Sequence, residues 1–383
     1  MIVRDSSEFL KQILTHFKAI AITGPRQSGK TTLVKSFFPD KPYVTLENPG
    51  DRNLALADPV RFLSAFPQGA VLDEVQKAPE LFSYLQGILD ASDEKGKFIL
   101  TGSNNFLLLE SISQSLAGRV GYLDLLPFSI HESGNCPQPP VSLEEHLFLG
   151  GYPSLVHDRA ITDAWFAGYV RTYVERDVRL IKNIADLNTF QRFLYLCAGR
   201  IGQQINLTNL ANDTGVDYKT IQAWLGVLQA SYLVYTLPPY YKNFNKRLTK
   251  TSKLYFYDTG LACYLLGIKN AGELTNHGYR GPLFENFIIN ELLKSRYNKG
   301  QRSNLFYWRD SGGNEIDVLI DNGSSQIPIE IKSAATFNLD FFKGLNYWQK
   351  LTGQKGGHLI YTGDGAKSYQ DFHIHNWEDV ASL

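Results

Sequence analysis

Cysteine, net charge and long apolar runs are all scarce in this sequence of 383 residues. The cysteines, Cys136, Cys197 and Cys263, lie far apart without the spacing of a metal site, so we expect reduced thiols in a cytoplasmic protein. The formal net charge is zero, which excludes a polycation that coats nucleic acid and requires any basic surface to be local. Neither a run long enough to span a membrane nor a signal-peptide core is present, so we expect no membrane partner.

Repeats and low-complexity tracts are also missing, so the domain organisation has to follow from length and motifs. A chain of 383 residues is long for one domain, and its 43% of apolar residues suffices for several cores. The Pro- and Gly-rich piece 134–140 is the best candidate for a linker. We predict three regions, at 1–133, 141–270 and 278–383.

A glycine-rich loop stands between an apolar run at 19–22 and a run compatible with a helix at 32–37. Its spacing is G-x-x-x-x-G-K-T, which is typical of a phosphate-binding loop. Two glycines let the backbone turn its N–H groups inward, and the helix presents its positive dipole end to the same anion. We predict that ATP or ADP is bound by this loop and the next threonine: Gly24, Pro25, Arg26, Gln27, Ser28, Gly29, Lys30, Thr31 and Thr32.

Four side chains would give this loop its chemistry. Lys30 would reach the β- and γ-phosphates, and the Thr31 hydroxyl would hold Mg²⁺. Downstream, an apolar run at 69–72 ends in Asp73 and Glu74. Following a phosphate loop, Asp73 is predicted to contact Mg²⁺ through water, and Glu74 to act as general base on the attacking water. The alternative is an ordinary strand that ends in a solvated Asp-Glu pair.

Two later positions are further candidates for contact with the nucleotide. Ser103 or Asn104 follows the strand-like run 98–101, where a polar side chain can bond the γ-phosphate or the lytic water; a helix cap is the alternative. Arg119 closes the next helix pattern and could reach a phosphate of its own chain or, as an arginine finger, of a neighbour in a homo-oligomer. An exposed charge at a helix end is the alternative for Arg119.

Strand and helix patterns alternate through the first third with short connections. That order predicts an α/β fold with a parallel sheet covered on both faces, as in a P-loop NTPase. We expect the strand that ends in Asp73 to lie beside the strand that precedes the loop. A helical and winged-helix region would follow, and then a C-terminal α/β region.

The middle of the chain has the pattern of a helix-turn-helix at 207–228, with Gly215 at the turn. Two strand-like runs, 232–237 and 254–257, resemble a wing. Basic residues interleaved with aromatic ones lie between and beside these runs and could grip the phosphate backbone of DNA or RNA. The alternative is a solvated hairpin on a winged helix that docks protein. The residues concerned are Lys242, Lys246, Arg247, Lys250 and Lys253, with Tyr240, Tyr241 and Phe244.

The last quarter combines a helix that starts near 281 with strand-like runs at 305–308, 315–320 and 327–332. Asp317 stands in the middle of one strand, and Glu330 and Lys332 share one face of the next. Carboxylates on adjacent strands can bind Mg²⁺, Lys332 could orient a water or stabilise a phosphate, and Glu285 could complete the cluster. A structural ion pair across the strands is the alternative.

With these pieces the chain resembles the predicted AAA+-type P-loop ATPases (AAA_14) that carry a C-terminal DUF4143 domain, here expected over roughly 170–335. The last quarter is similar to PD-(D/E)XK nucleases through Glu285, Asp317, Glu330 and Lys332, although Ile316 stands where the PD dipeptide has its proline. The resemblance implies a P-loop fold and a restriction-endonuclease-like C-terminal fold. The matching pieces are 24–32, 72–76, 100–103, 116–119, 151–153, 173–177 and 258–261.

Two functions of different classes follow from these patterns. The first is a Mg²⁺-dependent ATPase coupled to a winged helix that binds nucleic acid and to a nuclease-like region. The second is a regulatory protein gated by nucleotide, in which the C-terminal region is an inactive docking platform. A transcription regulator that reads a site with 208–229 is a weaker third hypothesis, because the middle region is only modestly basic.

Overall fold

The computed structural model describes residues 2–102, 108, 112, 114–172, 186–241, 251–364 and 367–383. The predictions for Ser103, Asn104, the basic positions within 242–250 and the piece 173–177 therefore lie outside the described residues. The chain forms two compact units. The first contains Met1–Phe128, Ala230–Tyr232 and Arg296–Gln301, and the second contains Ser129–Gln229, Leu233–Ser295 and Arg302–Leu383. The three predicted regions stay a prediction.

A parallel five-stranded sheet organises the described part of the first unit, with strand order β2-β3-β4-β1-β5. The strands are β1 (Ala19–Thr23), β2 (Tyr43–Thr45), β3 (Val71–Asp73), β4 (Phe98–Thr101) and β5 (Val120–Asp124). The helices are α1 (Ser7–His16), α2 (Lys30–Phe37), α3 (Pro49–Ala57), α4 (Pro59–Ser64) and α5 (Leu81–Asp90), with a 3-10 turn at Val75–Lys77.

The two faces of this sheet bury separate cores, as the alternation of strands and helices predicts. On one face Ile20 and Ile22 pack with Leu33 and Val34 of α2. On the other face α3, α4 and α5 cover the sheet. The start of α4 is capped by a side chain: Asp58 Oδ1 accepts the Arg61 N–H at 2.9 Å, and Pro59 occupies the first helical position.

One expectation about this sheet is wrong. The strand that ends in Asp73 does not lie beside β1, because β4 is inserted between them and pairs with both. Asp73 still comes to the same place as the loop, since the carboxyl ends of parallel strands meet at one edge of a sheet. The insertion also brings Thr101, the last residue of β4, to that edge.

The second unit begins with helices and a hairpin. The helices are α6 (Ile130–Gly134), α7 (Leu143–Leu149), α8 (Pro153–His157), α9 (Thr162–Thr172), α10 (Leu187–Ala198), α11 (Leu207–Thr214), α12 (Tyr218–Ala230) and α13 (Thr259–Leu265). Strands β6 (Val234–Leu237) and β7 (Lys253–Phe256) pair antiparallel. Gly215 ends α11 with a φ of 79°, at the predicted turn before α12.

A mixed six-stranded sheet follows in the described part of this unit, in the order β12-β13-β11-β10-β9-β8. Its strands are β8 (Leu305–Arg309), β9 (Glu315–Asp321), β10 (Gln326–Lys332), β11 (His358–Tyr361), β12 (Ser368–Tyr369) and β13 (Phe372–Asn376). Two helices of this part of the chain are α14 (Arg280–Tyr297) and α15 (Lys343–Thr352). Short 3-10 helices occupy Ala271–Asn276, Leu339–Phe342 and Trp377–Ser382. Among the described helices, none combines the length and hydropathy that a membrane span requires.

Candidate nucleotide site and carboxylate centre

The glycine-rich loop turns between β1 and α2 with a backbone that ordinary residues rarely adopt. Gly24 has a φ of 138°, and a Cβ there would lie 2.2 Å from the carbonyl oxygen of Leu125. Gly29, with a φ of 93°, is the left-handed N-cap of α2. Gln27 also has a positive φ, of 63°, at the tip of the loop. The positive φ therefore favours glycine at both positions, and at Gly24 the close approach of Leu125 also leaves no room for a side chain.

The Lys30 side chain is almost completely enclosed by this loop, with 7% of the residue exposed. Its Nζ donates to the carbonyl oxygens of Gly24 and Pro25 at 2.9 and 2.7 Å. Burial lowers the Lys30 pKa to about 8, although the Glu74 and Asp73 carboxylates oppose the shift. The two carbonyls carry no full charge, so a phosphate group is the stronger partner for this ammonium.

The Asp73 carboxylate accepts hydrogen bonds from hydroxyl groups on three elements, α2, β2 and β4. Thr31 Oγ1 donates to Asp73 Oδ2 at 3.3 Å, which joins α2 to the end of β3. Tyr43 donates to the same oxygen, and Thr101 donates to Oδ1. Burial and the Asp73 carboxylate raise the Tyr43 pKa, so the phenol keeps its proton. The sequence reasoning missed Thr101, which its place at the end of β4 could have revealed, and Tyr43, for which no motif gave a signal.

Glu74 holds an unusual backbone directly after β3. Its φ is 54°, which is left-handed and costly for a residue with a Cβ. The Gln76 side-chain amide donates to Glu74 Oε2 and fixes the direction of the carboxylate. Backbone strain of this kind is common at active sites, and the general-base role of Glu74 stays a prediction.

The donor set fits a triphosphate with Mg²⁺. Ser28 Oγ is fully buried inside the loop and has no hydrogen-bond partner among the described residues. Such a hydroxyl costs free energy unless a ligand satisfies it. A cation at Lys30, a hydroxyl at Thr31 and a carboxylate at Asp73 are the groups that phosphate and Mg²⁺ prefer.

Arg119 is not brought to the phosphate loop of its own chain. It precedes Val120, which pairs with Ala19 at the amino end of β1, whereas the loop follows Thr23 at the carboxyl end. Five residues of strand correspond to about 15 Å. The guanidinium instead forms a forked ion pair with Asp90, at 2.5 Å from Nε and 2.9 Å from Nη2. The arginine-finger role toward a neighbouring copy stays a prediction.

In the second unit, the predicted Asp317, Glu330 and Lys332 converge. The antiparallel pairing that joins Val318 to Ile329 places Asp317 opposite Glu330 on one face of the sheet. Lys332 Nζ lies 3.1 Å from Asp317 Oδ2 and 2.5 Å from Glu330 Oε2. Asp317 Oδ2 also accepts the Ile331 N–H at 2.8 Å. Burial and the Asp317 charge hold the Glu330 pKa well above its usual range.

Glu285 lies in the same network but has partners that the sequence did not indicate. Lys253 Nζ lies 3.0 Å from Glu285 Oε1 and 2.5 Å from Glu315 Oε1, and the Tyr255 hydroxyl donates to Glu285. Lys253 is 4% exposed, so the prediction that it belongs to a basic loop on nucleic acid is wrong. Two partly buried carboxylates pair with this buried ammonium and compensate the cost of its desolvation. We name Asp317, Glu330, Lys332, Glu285, Glu315 and Lys253 the carboxylate centre.

Metal binding at this centre stays a prediction. Across the part of the chain that the structure describes, no three His, Cys, Asp or Glu side chains are grouped so that they could hold a metal ion. Asp317 and Glu330 would therefore need further ligands from water or substrate. Lys332 already neutralises part of the charge of these two carboxylates. The contacts therefore agree as well with a structural ion pair, the alternative given above, as with a metal site.

The helix-turn-helix segment offers little positive charge. Helix α12 carries one basic side chain, Lys219, and Asp217 in front of it accepts the Thr220 N–H at 3.0 Å. Arg200, before α11, is paired with Asp213. A surface that binds a phosphate backbone needs more basic residues than these. The predicted nucleic-acid contact therefore depends on Lys242, Lys246, Arg247 and Lys250.

Three protein-family models match separate parts of the chain. Residues 16–134 match an AAA domain (AAA_14), and residues 280–379 match a domain of unknown function, DUF4143. Residues 141–272, between them, match a second domain of unknown function, DUF8612. The DUF4143 match thus begins later in the chain than the range 170–335 expected from the sequence.

Relatives of known sequence cover most of the chain. Uncharacterised proteins of Mycobacterium bovis and Mycobacterium tuberculosis are each 31% identical over 338 residues, which is 87% of this chain and 74% of the relative. An uncharacterised protein of Haemophilus influenzae is 24% identical over 212 residues, or 52% of this chain and 51% of the relative.

Solved structures resemble the chain more distantly. A Walker-type ATPase of Pyrococcus abyssi has a TM-score of 0.46 and 15% identity, with 68% of this chain and 94% of that chain covered. A RuvB variant of Thermotoga maritima has a TM-score of 0.34 and 15% identity, with 62% and 90% covered.

Proposed function

Because the chain belongs to the family of P-loop ATPases in which an AAA domain precedes a DUF4143 domain, we propose that it binds ATP with Mg²⁺ and hydrolyses it. The observation that supports this most is the hydrogen bond from Thr31 Oγ1 to Asp73 Oδ2, at 3.3 Å. It joins the phosphate loop to the carboxylates at the end of β3, so phosphate, metal and attacking water would meet at one place.

Each side chain then has a distinct task. The Lys30 ammonium binds the β- and γ-phosphate oxygens, and Thr31 with Asp73 holds Mg²⁺, which neutralises phosphate charge when bound. Glu74, directed by Gln76, accepts the proton of the attacking water. Thr101 and Tyr43 hold Asp73 in place by donating to both of its oxygens.

The direct test is release of inorganic phosphate from ATP by the purified full chain, with and without Mg²⁺. We expect release that requires Mg²⁺ and rises with ATP concentration to saturation. Tight ADP binding without any release would favour the nucleotide-gated regulator instead. A chain that binds neither ATP nor ADP would contradict the proposal.

Nucleotide affinity should fall at alkaline pH because of Lys30. Its pKa of about 8 is below the usual value, and phosphate binding favours the protonated form. Affinity is therefore nearly full at pH 7, falls to about half at pH 8 and is about tenfold lower at pH 9. Titration of fluorescent ADP between pH 7 and 9 measures this. A profile that is flat or rises across that interval would contradict the lowered pKa.

We propose as a second function that the carboxylate centre cleaves a phosphodiester bond of DNA or RNA, coupled to the ATPase. The convergence of Asp317, Glu330 and Lys332 supports it, since Lys332 could stabilise a phosphate that the carboxylates place. The lysine contacts support the competing hypothesis as well. An ion network that is already neutralised would serve as an inactive docking platform for a protein partner.

Asp317→Asn separates these hypotheses. If the centre is catalytic, we expect nuclease activity with Mg²⁺ or Mn²⁺ to fall to background, because a neutral amide binds a divalent cation much more weakly than a carboxylate does. Asp340→Asn, at an exposed surface pair with Lys343, is the matched control and should keep full activity. Cleavage that persists in Asp317→Asn points to a contaminating nuclease. Absence of cleavage by the wild-type chain on both DNA and RNA would favour the docking platform.

A further inference from the structure

Arg4 lies before α1 and outside residues 16–134 that match the AAA domain, yet its side chain reaches the phosphate loop. The residue is 6% exposed. Its Nη1 donates to the carbonyl oxygen of Ser28 at 2.7 Å, and its Nη2 donates to that of Leu126 at 2.6 Å. The guanidinium carbon lies 4.9 Å from the centre of the Phe128 ring. One side chain thus ties the loop to the segment that follows β5.

The loop needs a donor at this point. Backbone that turns successive N–H groups toward an anion turns carbonyl groups the other way, and a buried carbonyl must be satisfied. Ser28 precedes Gly29, the left-handed N-cap of α2. Its carbonyl belongs to the same peptide group as the Gly29 N–H, so a bond that fixes the oxygen also fixes the direction of that N–H.

The second carbonyl that Arg4 binds, that of Leu126, follows a residue that is held in place by the start of the loop. Leu125 donates its N–H to the Thr23 carbonyl at 2.8 Å, at the end of β1. Gly24 approaches the Leu125 carbonyl so closely that a Cβ would lie 2.2 Å from it. Leu125 is therefore held against the start of the loop. Arg4 joins Ser28, near the end of the loop, to the next residue, Leu126.

We propose that Arg4 is a positioning residue of the nucleotide site. It does not touch the phosphates. Its planar fork holds the Ser28 carbonyl outward, and the loop N–H groups then converge where the phosphates bind. Two carbonyls in different segments require two donors in fixed geometry, which arginine supplies and lysine does not. The inference rests on the proposed nucleotide binding but not on hydrolysis.

Arg4→Gln and Arg4→Lys in the full chain test this role by titration with fluorescent ADP and ATP. We expect Arg4→Gln to weaken both nucleotides by the same factor, about tenfold, because Arg4 acts on the loop that binds the shared phosphates. Arg4→Lys keeps the charge and one donor, so it should weaken binding about threefold. The turnover rate at saturating ATP should change less than the affinity. Arg61→Gln, an exposed arginine of α4, is the matched control.

The outcomes separate a positioning role from simple stabilisation. Arg4 variants that melt earlier but bind ADP within twofold of wild type would overturn the inference. If Arg4→Gln does not fold, Arg4→Lys decides, and an unchanged ADP affinity in that variant overturns it equally. A wild-type chain that binds no nucleotide would overturn the proposed function itself, whereas normal wild-type binding with unaffected variants overturns only the role of Arg4.

Discussion

Lys30→Met is expected to weaken ATP and ADP binding about a hundredfold, since charge-assisted hydrogen bonds to phosphate are lost. The fold should survive, because the lysine is buried at a cost that shows in its lowered pKa. Methionine has a similar length and no charge to desolvate. Because the variant also loses the Lys30 hydrogen bonds to the Gly24 and Pro25 carbonyl oxygens, we expect a melting temperature close to that of the wild type, measured by circular dichroism. Binding should be lost in a fluorescent-nucleotide titration.

The control for this variant is Lys11→Met. Lys11 lies on the surface of α1, paired with Glu8 at 3.3 Å, in the same unit of the molecule. It should bind nucleotide as the wild type does. Hydrolysis that continued in Lys30→Met at a normal rate would show that the measured ATPase does not use this loop.

Glu74→Gln is expected to lower the turnover rate by about 10²- to 10⁴-fold, the usual contribution of a general base. Nucleotide binding should change less than threefold, because Glu74 acts on the water and not on the phosphates. The new amide can keep the present geometry, since Gln76 Oε1 is buried and has no hydrogen-bond partner among the described residues. After a flip of the Gln76 amide, that oxygen would accept from the glutamine at 74.

Single-turnover phosphate release and ADP titration measure the two quantities separately. Glu80→Gln, at the exposed start of α5, provides the control for the loss of one carboxylate. If Glu74→Gln hydrolysed ATP within threefold of the wild type, the base would have to be another group. A variant that lost binding as well would assign Glu74 a structural role.

Much of the nucleotide site could be predicted because its signals are local. The spacing of Gly24, Gly29, Lys30 and Thr31 sets a turn and a helix start within one short segment. Asp73 and Glu74 follow an apolar run whose short length favours a buried strand. Parallel strands then bring their carboxyl ends to one edge, whatever the strand order. The wrong neighbour assigned to β3 therefore did not displace Asp73 from the site.

Local reasoning failed where a side chain is satisfied by a distant partner. Lys253 stands at the end of a basic stretch, and nothing in the sequence around it indicates that it is buried between Glu285 and Glu315. Arg119 has the sequence neighbours of a phosphate contact but lies at the opposite edge of the sheet, paired with Asp90. Strand β12 was missed because two residues show no alternation, and β13 was missed because only Phe372 and Ile374 of its five residues are apolar.

The sequence by itself determined the phosphate loop, the carboxylates that face it and the alternation that pairs Asp317 with Glu330 and Lys332. These depend on spacing along one segment, and backbone geometry converts spacing directly into position. Only the tertiary structure decided that β4 separates β3 from β1, that Tyr43 and Thr101 hold Asp73, and that Arg4 supports the loop. Those contacts join residues far apart in the chain, and they form because buried polar groups must find partners wherever the fold brings donor and acceptor together.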